Sequence, residues 1–249
     1  MRGVSDGPIA RAVASQERSS IDVAAENRRL EVLSPEDRLA FAALVFEREL
    51  LFTSSFGAGS GVLLHMWSRV AREQPVVFID TGFLFDETIA YRDALVAKLG
   101  LTLEIVRPAV ATKDFLGEHG ANIYATDPDF CCATNKVAPL EPYIARARGW
   151  VSGVRRDQSA ARATTPILLE TEGPLEIHPL ATMTAAEVEA YMARHDIPEH
   201  PLRARRYLSI GCAPCTRAVA PGEDERAGRW AGTAKTECGI HSVNRPARG

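Results

Sequence analysis

Short apolar segments alternate with amphipathic segments between residues 50 and 106, and this alternation constrains the fold more than any other feature of the chain. Leu50–Phe52, Val76–Ile79 and Leu103–Val106 predict buried strands, because each is a short apolar run bounded by turn residues. Stretches with helical periodicity lie between them, near 60–72 and 87–99. Short strands joined by helices imply right-handed crossovers, so the sequence predicts an α/β fold with a parallel sheet flanked by helices.

The rest of the chain divides into three predicted regions. Residues 1–33 are polar and rich in arginine, which predicts a flexible N-terminal arm with a helical stretch near 21–30. The folded α/β domain is predicted over 34–216, beginning with a helix whose N-cap is Ser34. Residues 217–249 are rich in Gly and Arg without periodicity, and they predict an irregular C-terminal tail.

Composition and charge exclude several classes of protein. A formal net charge of −3 gives no overall basic field, so nucleic acid is not an expected partner. No apolar run reaches the roughly eighteen residues of a membrane span, and residues 1–28 lack a signal-peptide core. We therefore expect no membrane partner and a cytoplasmic location. Five cysteines are too few, and odd in number, for a secreted disulfide framework, which favours metal binding or redox chemistry.

The loop after the first strand, residues 53–61, is rich in serine and glycine and opens the next predicted helix. Free backbone N–H groups at a helix start attract anions, and small side chains let a phosphate approach the backbone. The candidate binding residues are Ser54, Ser55, Gly57 and Ser60. The loop is neither a Walker A nor a GxGxxG motif, and taken alone it fits an ordinary strand-to-helix turn equally well.

Two further loops at the same predicted sheet edge carry charged residues. Asp80 follows the second strand, where it is a candidate binding residue or a cap of the next helix. A fourth strand is predicted at 149–152, and the loop from Gly153 to Arg162 contains three arginines within eight residues. Guanidinium groups at a strand end suit phosphate or sulfate, whereas the alternative is a solvated loop paired with Asp157. Convergence of the three loops on one cleft favours anion binding.

Four of the five cysteines form two close pairs, Cys131–Cys132 and Cys212–Cys215, the second in a C-x-x-C motif. Four thiolates suit a zinc ion or an iron–sulfur cluster, and ligand softness does not distinguish the two. Buried apolar cysteines and a redox-active C-x-x-C disulfide are the alternatives, although the disulfide would leave Cys131 and Cys132 unexplained.

Cys238 stands apart from the two pairs, with Lys235, His241, Arg226 and Arg229 nearby in the sequence. Positive charges lower the pKa of a thiol and attract an anionic substrate, so Cys238 is the candidate nucleophile. The alternative is a tail cysteine without a function.

These residues belong to an ordered set of motifs that resembles the assimilatory sulfonucleotide reductases, and specifically the iron–sulfur-containing adenylyl-sulfate reductases. The resemblance runs from about Phe52 to His241. Its motifs are Ser-Ser-Phe-Gly at 54–57, Asp-Thr-Gly-Phe-Leu-Phe-Asp-Glu-Thr at 80–88, Cys-Cys at 131–132 with Lys136, Gly-Val-Arg-Arg-Asp-Gln-Ser at 153–159, Ser-Ile-Gly-Cys-x-x-Cys-Thr at 209–216, Arg-x-Gly-Arg-Trp at 226–230 and Lys-Thr-Glu-Cys-Gly-x-His at 235–241.

The resemblance implies a sheet similar to the adenine nucleotide alpha hydrolases, with a PP-loop-type segment at 54–60 for the nucleotide. It also implies one [4Fe–4S] cluster per chain, which makes the region 34–216 a nucleotide-binding domain with a cluster on its four paired cysteines. The lysine beside Cys131–Cys132 resembles the family lysine that links cluster and substrate electrostatically, and three arginines resemble anion clamps. The further substrate-binding residues that it implies are Lys136, Arg162, Arg226, Arg229 and His241, the last with an open role.

The implied activity is thioredoxin-dependent reduction of adenylyl sulfate to sulfite and AMP, in assimilatory sulfate reduction and cysteine biosynthesis. The Cys238 thiolate attacks the sulfate sulfur, AMP leaves, and thioredoxin or a similar dithiol reductant releases sulfite from the thiosulfonate. Relatives that use the 3′-phosphorylated nucleotide typically lack the cluster cysteines, so the presence of these cysteines favours adenylyl sulfate. Phosphoadenylyl sulfate is the alternative substrate. A zinc-stabilised regulatory module and an ATP-dependent adenylating ligase are the other functions considered. The oligomeric state is open, a homo-oligomer included.

Overall fold

The computed structural model of the chain describes residues 21–235, 237, 238 and 240. The strands of this part are β1 (Leu50–Phe52), β2 (Val76–Ile79), β3 (Leu103–Val106), β4 (Gly149–Val151), β5 (Leu168–Leu169) and β6 (Leu175–Ile177). Its α-helices are α1 (Val23–Glu31), α2 (Pro35–Phe46), α3 (Ser60–Val70), α4 (Asp86–Leu99), α5 (Thr112–His119), α6 (Ile123–Thr126), α7 (Pro128–Cys132), α8 (Ala138–Ile144) and α9 (Ala185–Arg194). None of these helices has the length and apolar character to cross a bilayer.

The strand order places β1 in the middle of the sheet. β1 pairs in parallel with β4, β4 pairs in parallel with β6, and β5 adds an antiparallel edge to β6. β2 pairs in parallel with β3, and a parallel bridge between Thr53 and Val77 joins this pair to the end of β1. The order is therefore β3-β2-β1-β4-β6-β5, which confirms the predicted α/β class with a parallel-dominated sheet. The loops after β1 and β4 diverge at a topological switch point, where ligands of open sheets bind.

The main core lies between this sheet and the helices packed on it. Helix α3 buries most of its length, including Trp67, whose ring lies 4.6 Å from the ring of Phe52 on β1. Phe78 on β2 is also fully buried. Burial of such large side chains stabilises a domain by about 1.5–3 kcal/mol for each residue. The start of α3, which carries the predicted phosphate loop, is therefore fixed rigidly against the sheet.

The N-terminal segment packs on the domain further upstream than the sequence predicted. Ser34 caps α2 as expected, because its hydroxyl accepts a hydrogen bond from the Asp37 N–H at 3.1 Å. Leu30 in α1 is fully buried, and the buried Arg38 donates to the carbonyls of Leu30 and Glu31 at 2.9 Å. The described part of the predicted flexible arm, residues 21–33, therefore contains a packed helix, and residues 1–20 lie outside the described residues.

A helical segment between β3 and β4 carries residues needed at the site. Helix α7 continues into a π-helical turn, Ala133–Val137, and then into α8. π-Helical turns are rare and occur often at functional sites. Here the turn follows directly after Cys131 and Cys132 and contains Lys136.

Candidate active site

A cleft of about 230 Å³ opens at the switch point between the loops after β1 and β4. The helical turn at Lys136 and the segment 208–211 contribute to its walls. The tail contributes Glu225, Arg226, Arg229, Trp230, Cys238 and Ile240. The structure brings most of the predicted site residues together along this cleft. Those that line it are Ser54, Ser55, Gly57, Ser60, Lys136, Gly153, Arg162, Arg226, Arg229 and Cys238.

The loop after β1 has the geometry of an anion-binding loop. No side chain in the described part of the chain caps the first turn of α3, so its N–H groups are not taken by a cap. Phe56 adopts a left-handed conformation, with φ of 49°, and its fully buried ring packs edge-on to Phe78 at 5.5 Å. Left-handed backbone is costly for a residue with a bulky side chain, and such positions cluster at functional sites. Gly57 fits here because a Cβ at this position would lie 3.3 Å from the Ile210 carbonyl oxygen.

The three arginines after β4 have different partners. Arg155 is buried and binds Asp157 at 2.9 Å and Glu225 at 3.0 Å. Its charge is therefore paired with Asp157, as in the alternative interpretation of this loop. Arg156 binds Glu31 and the Thr165 carbonyl, away from the cleft. Arg162 lines the cleft and contacts the C-terminal tail.

Asp80 does not line the cleft. One of its carboxylate oxygens accepts a hydrogen bond from the Gly82 N–H at 3.1 Å, and the other lies 3.2 Å from Arg107 Nε. These contacts stabilise the turn after β2, and neither is the capping contact that the sequence suggested for the following helix.

Cys238 lies at the centre of the positive charge in the cleft. Its Sγ is 3.6 Å from the Nζ of Lys136. Burial alone would raise the pKa of Cys238, but Lys136, the Ile240 N–H and Arg229 outweigh burial and hold the thiol pKa below its ordinary value. For Lys136, burial favours the neutral amine, yet the neighbouring thiols Cys212, Cys238 and Cys132 reverse this and raise its pKa. The pair is therefore arranged to stabilise a thiolate and an ammonium group.

Two buried polar atoms in the cleft wall have no hydrogen-bond partner among the described residues, the Ser152 hydroxyl and the Nε of Arg229. Buried polar groups without partners are uncommon and costly. Arg229 lies 4.5 Å above the ring of Trp230, a residue of the motif at 226–230 for which no role was predicted. The Arg229 guanidinium also passes close over Gly211. A Cβ on Gly211 would stand only 1.9 Å from Arg229 Nη1. These atoms are suited to bind an anionic ligand.

Glu237 enters the site between two arginines. Its carboxylate binds Arg162 through two contacts, at 2.8 and 2.7 Å, and Arg226 at 2.9 Å. Glu237 belongs to the sequence motif at 235–241, but no role was predicted for it. The signal that could have identified it is an acid directly before the candidate nucleophile, in a segment, 226–238, whose other charged residues are Arg226, Arg229 and Lys235.

The four paired cysteines line one small cavity next to the cleft, together with Asn135, Lys136 and Trp230. Burial, followed by repulsion from the other thiols, raises the pKa of Cys131 to about 12 and that of Cys215 to about 11. Thiols packed together in this way are poor acids until a cation binds them.

The donor set therefore fits a cofactor bound by four thiolates, although no three His, Cys, Asp or Glu side chains in the described ranges are arranged to hold a metal ion directly. The neighbourhood of these thiols contains further hydrogen-bonding groups. The Thr81 hydroxyl lies 3.3 Å from Cys212 Sγ, and the Asn135 amide lies 3.8 Å from Cys131 Sγ.

His241, the last of the predicted binding residues, lies outside the described residues.

The fold and the site define a class of protein: an α/β protein with a nucleotide-type cleft at its switch point, in which a C-terminal cysteine lies among cations. The chain belongs to the phosphoadenosine phosphosulfate reductase domain family, whose sequence profile matches residues 49–218. This confirms the resemblance to the sulfonucleotide reductases.

Three relatives illustrate this membership. The adenosine 5′-phosphosulfate reductase of Mesorhizobium japonicum is 47% identical over 198 residues, which cover 79% of this chain and 78% of that protein. The phosphoadenosine 5′-phosphosulfate reductase of Gloeobacter violaceus is 40% identical over 220 residues, which cover 86% of this chain and 91% of that protein. The crystal structure of phosphoadenylyl-sulfate reductase from Candida auris, a phosphate complex, has a TM-score of 0.70 at 26% identity and covers 78% of this chain and 97% of that one.

Proposed function

We propose that the chain reduces adenosine 5′-phosphosulfate to sulfite and AMP, as a step of sulfate assimilation. The observation that carries the proposal is the position of Cys238, whose Sγ lies 3.6 Å from the ammonium nitrogen of the half-buried Lys136 in a cleft lined with arginines. A thiolate held by cations can attack an anionic sulfur centre, because the cations offset the repulsion between the two. The Mesorhizobium japonicum relative, 47% identical over the aligned residues, carries the name of this reaction.

The reaction balances with one dithiol as the electron source. The Cys238 thiolate attacks the sulfate sulfur, the bond from this sulfur to the bridging oxygen breaks, and AMP leaves with the electron pair on its phosphate. The enzyme then carries an S-sulfonated Cys238. A thiolate of thioredoxin or a similar dithiol attacks Cys238 Sγ, sulfite leaves with the S–S electron pair, and the second thiol of the dithiol releases Cys238 as a thiolate. The dithiol supplies the two electrons that reduce sulfate to sulfite.

The cleft residues divide between the two ends of the phosphosulfate group. We assign the phosphate to the loop Ser54–Ser60, where no side chain of the described residues caps the N–H groups of the first turn of α3. We assign the sulfate to Lys136 and Arg229, which lie near Cys238. The buried hydroxyl of Ser152 adds one hydrogen-bonding group to the wall between them.

One [4Fe–4S] cluster is the cofactor that we propose for Cys131, Cys132, Cys212 and Cys215. Their common cavity and their raised thiol pKa values support a bound cation cluster at this place. When bound, the cluster would add its charge beside Lys136 and so influence the cations that face the substrate. In this assignment residues 34–216 carry nucleotide and cluster, and the tail at 217–249 carries the nucleophile.

The proposal is tested with protein purified anaerobically and supplied with reduced thioredoxin. We expect sulfite and AMP from adenosine 5′-phosphosulfate, and no sulfite from Cys238→Ser, which keeps its iron and inorganic sulfide. Sulfite release at the wild-type rate from Cys238→Ser would exclude this residue as the nucleophile. Stoichiometric zinc without iron would instead support a zinc-stabilised module.

The 3′-phosphorylated nucleotide is the second candidate substrate, because the Gloeobacter violaceus relative carries that name at 40% identity. Both nucleotides are therefore compared in the same assay. We expect the larger kcat/KM for adenosine 5′-phosphosulfate, and a larger value for the 3′-phosphorylated form would reverse the substrate assignment.

A further inference from the structure

We infer that Glu237 is a positioning residue: it anchors the C-terminal tail in the cleft by bridging Arg162 and Arg226, and so holds Cys238 beside Lys136. The anchoring itself concerns only the conformation of the tail, while its consequence for turnover rests on the proposed function. The two arginines thereby serve the tail, in addition to any contact they make with substrate.

The contact geometry is that of a strong ion pair. Arg162 presents Nε and Nη2 to the two oxygens of Glu237 at 2.8 and 2.7 Å, which is the bidentate arrangement of an arginine–carboxylate pair. Its third nitrogen, Nη1, donates to Gln158. Arg226 adds a third contact, from its Nη2 to Oε2 of Glu237 at 2.9 Å. The donor fork of Arg162 is thus directed at the tail in this arrangement.

The three side chains are shielded from solvent, so each charge is stabilised by its charged neighbours instead of by water. Side-chain exposure is 10% for Arg162, 14% for Arg226 and 23% for Glu237. Burial, and after it the charge of Arg162, lower the pKa of Arg226 to about 10, although Glu237 opposes both effects. Loss of the carboxylate would leave two neighbouring guanidinium groups poorly solvated, a far larger penalty than the loss of an exposed ion pair.

The bridge connects segments that are distant in sequence. Arg162 belongs to the loop after β4, whereas Glu237 directly precedes Cys238. A Glu237 side chain held by Arg162 therefore also restricts the position of Cys238. Lys235, two residues before Glu237, pairs with Asp129, whose side chain is 81% exposed. The contact of Lys235 is therefore the weaker of the two, and Glu237 supplies the main anchor for Cys238.

The test compares the full-length protein with Glu237→Gln, Glu237→Asp and the control Glu223→Gln. Glu223 makes a bidentate pair with Arg217 in the same tail, but its partner is 46% exposed. Limited digestion with trypsin, followed by mass spectrometry, measures cleavage after Lys235, whose side chain is only 6% exposed while the tail is docked. Cleavage at such a bond tracks the population of the open tail.

We expect Glu237→Gln to be cleaved after Lys235 at least about tenfold faster than the wild type, given the cost of unpairing buried charges. Glu223→Gln should stay within about twofold of the wild type, because exposed pairs contribute little. Glu237→Asp keeps the charge and should give an intermediate rate. In the sulfite assay, Glu237→Gln should lower kcat about tenfold or more without raising KM, since it removes positioning and not substrate contacts.

An unchanged cleavage rate in Glu237→Gln would overturn the inference, as would faster cleavage throughout the chain, which would make Glu237 a stabiliser of the whole fold. If the wild type releases no sulfite while the cleavage rates differ as expected, the proposed function fails and the anchor stands. If the wild type is active and Glu237→Gln matches it in both assays, the anchor fails and the proposed function stands.

Discussion

Replacing Gly211 with alanine should displace Arg229 from the site while leaving the fold intact. The φ angle of Gly211 is not in the left-handed region, so the backbone accepts alanine. The added Cβ would lie 1.9 Å from Arg229 Nη1 and 2.3 Å from Nη2, whereas ordinary contact begins at 3.4 Å. The guanidinium group must therefore retreat by about 1.5 Å, a distance at which loss of position alone can cost about 10²-fold in rate.

The expected result is a fall in sulfite release on the order of 10²-fold, with a change in unfolding free energy of less than about 1 kcal/mol. Stability should change little because the far end of a flexible arginine can move aside. Sulfite release from adenosine 5′-phosphosulfate measures activity, and urea unfolding measures stability. Iron content is determined in the same samples, because Gly211 precedes Cys212 and a lost cofactor would also lower activity.

Gly117→Ala is the matched control. Gly117 lies in helix α5, and a Cβ there would meet no atom within 4 Å. This variant should keep wild-type turnover and gain a little stability, because alanine favours a helix over glycine by about 1 kcal/mol. If Gly211→Ala retains its iron and turns over within about threefold of the wild type, the reasoning that the reaction needs Arg229 in its observed place is wrong.

Three further predictions follow from buried groups elsewhere in the molecule. Arg38→Met should lower the unfolding free energy by about 3 kcal/mol, because the buried guanidinium donates hydrogen bonds to three backbone carbonyls. Arg28 is exposed, so Arg28→Met should change the unfolding free energy by less than about 0.5 kcal/mol. Equal effects of the two substitutions in urea unfolding would refute this prediction. Burial lowers the pKa of His200 to about 4, so the folded state resists a proton that the unfolded chain binds near pH 6.5. Stability should be complete above about pH 6.5 and fall by up to about 3 kcal/mol toward pH 4, and His200→Gln should flatten this part of the stability profile. Cys131→Ser should lose most of its iron while Cys238→Ser keeps it, and equal iron content in the two proteins would contradict the proposed division of the cysteines.

The fold could be predicted largely from local patterns. The strands at Leu50–Phe52 and Val76–Ile79 appear at their predicted limits, because short apolar runs between turn residues have few alternatives in an α/β chain. The antiparallel edge strand β5 was not predicted, since two residues carry no periodicity. The helices between β3 and β4 were also missed, because α6 and α7 have only four and five residues.

Side-chain partners at the site were much less predictable than its location. The sequence placed Arg155 and Arg162 in one arginine-rich loop, but pairing across long sequence distances decides what each of them does. Arg155 is neutralised by Glu225, seventy residues away, while Arg162 meets Glu237. Periodicity and motif spacing describe neighbours along the chain, so they do not identify such pairs. The same limit applies to Ser152, whose importance is visible only from its burial without a partner among the described residues.

The distribution of cations explains how a charged tail and a charged substrate can share one cleft. If Lys136, Arg162, Arg226 and Arg229 paired only with the nucleotide, the cleft without it would hold several positive charges at close range. Each buried cation would then lower the stability of the folded protein. The tail reduces this repulsion, because it brings the Glu237 carboxylate to two of the arginines and the Cys238 thiol to the lysine. The Nε of Arg229, which has no hydrogen-bond partner among the described residues, is then left for the substrate anion. On this division the tail need not be expelled when the nucleotide binds, because the Glu237 carboxylate and the substrate anion use different arginines.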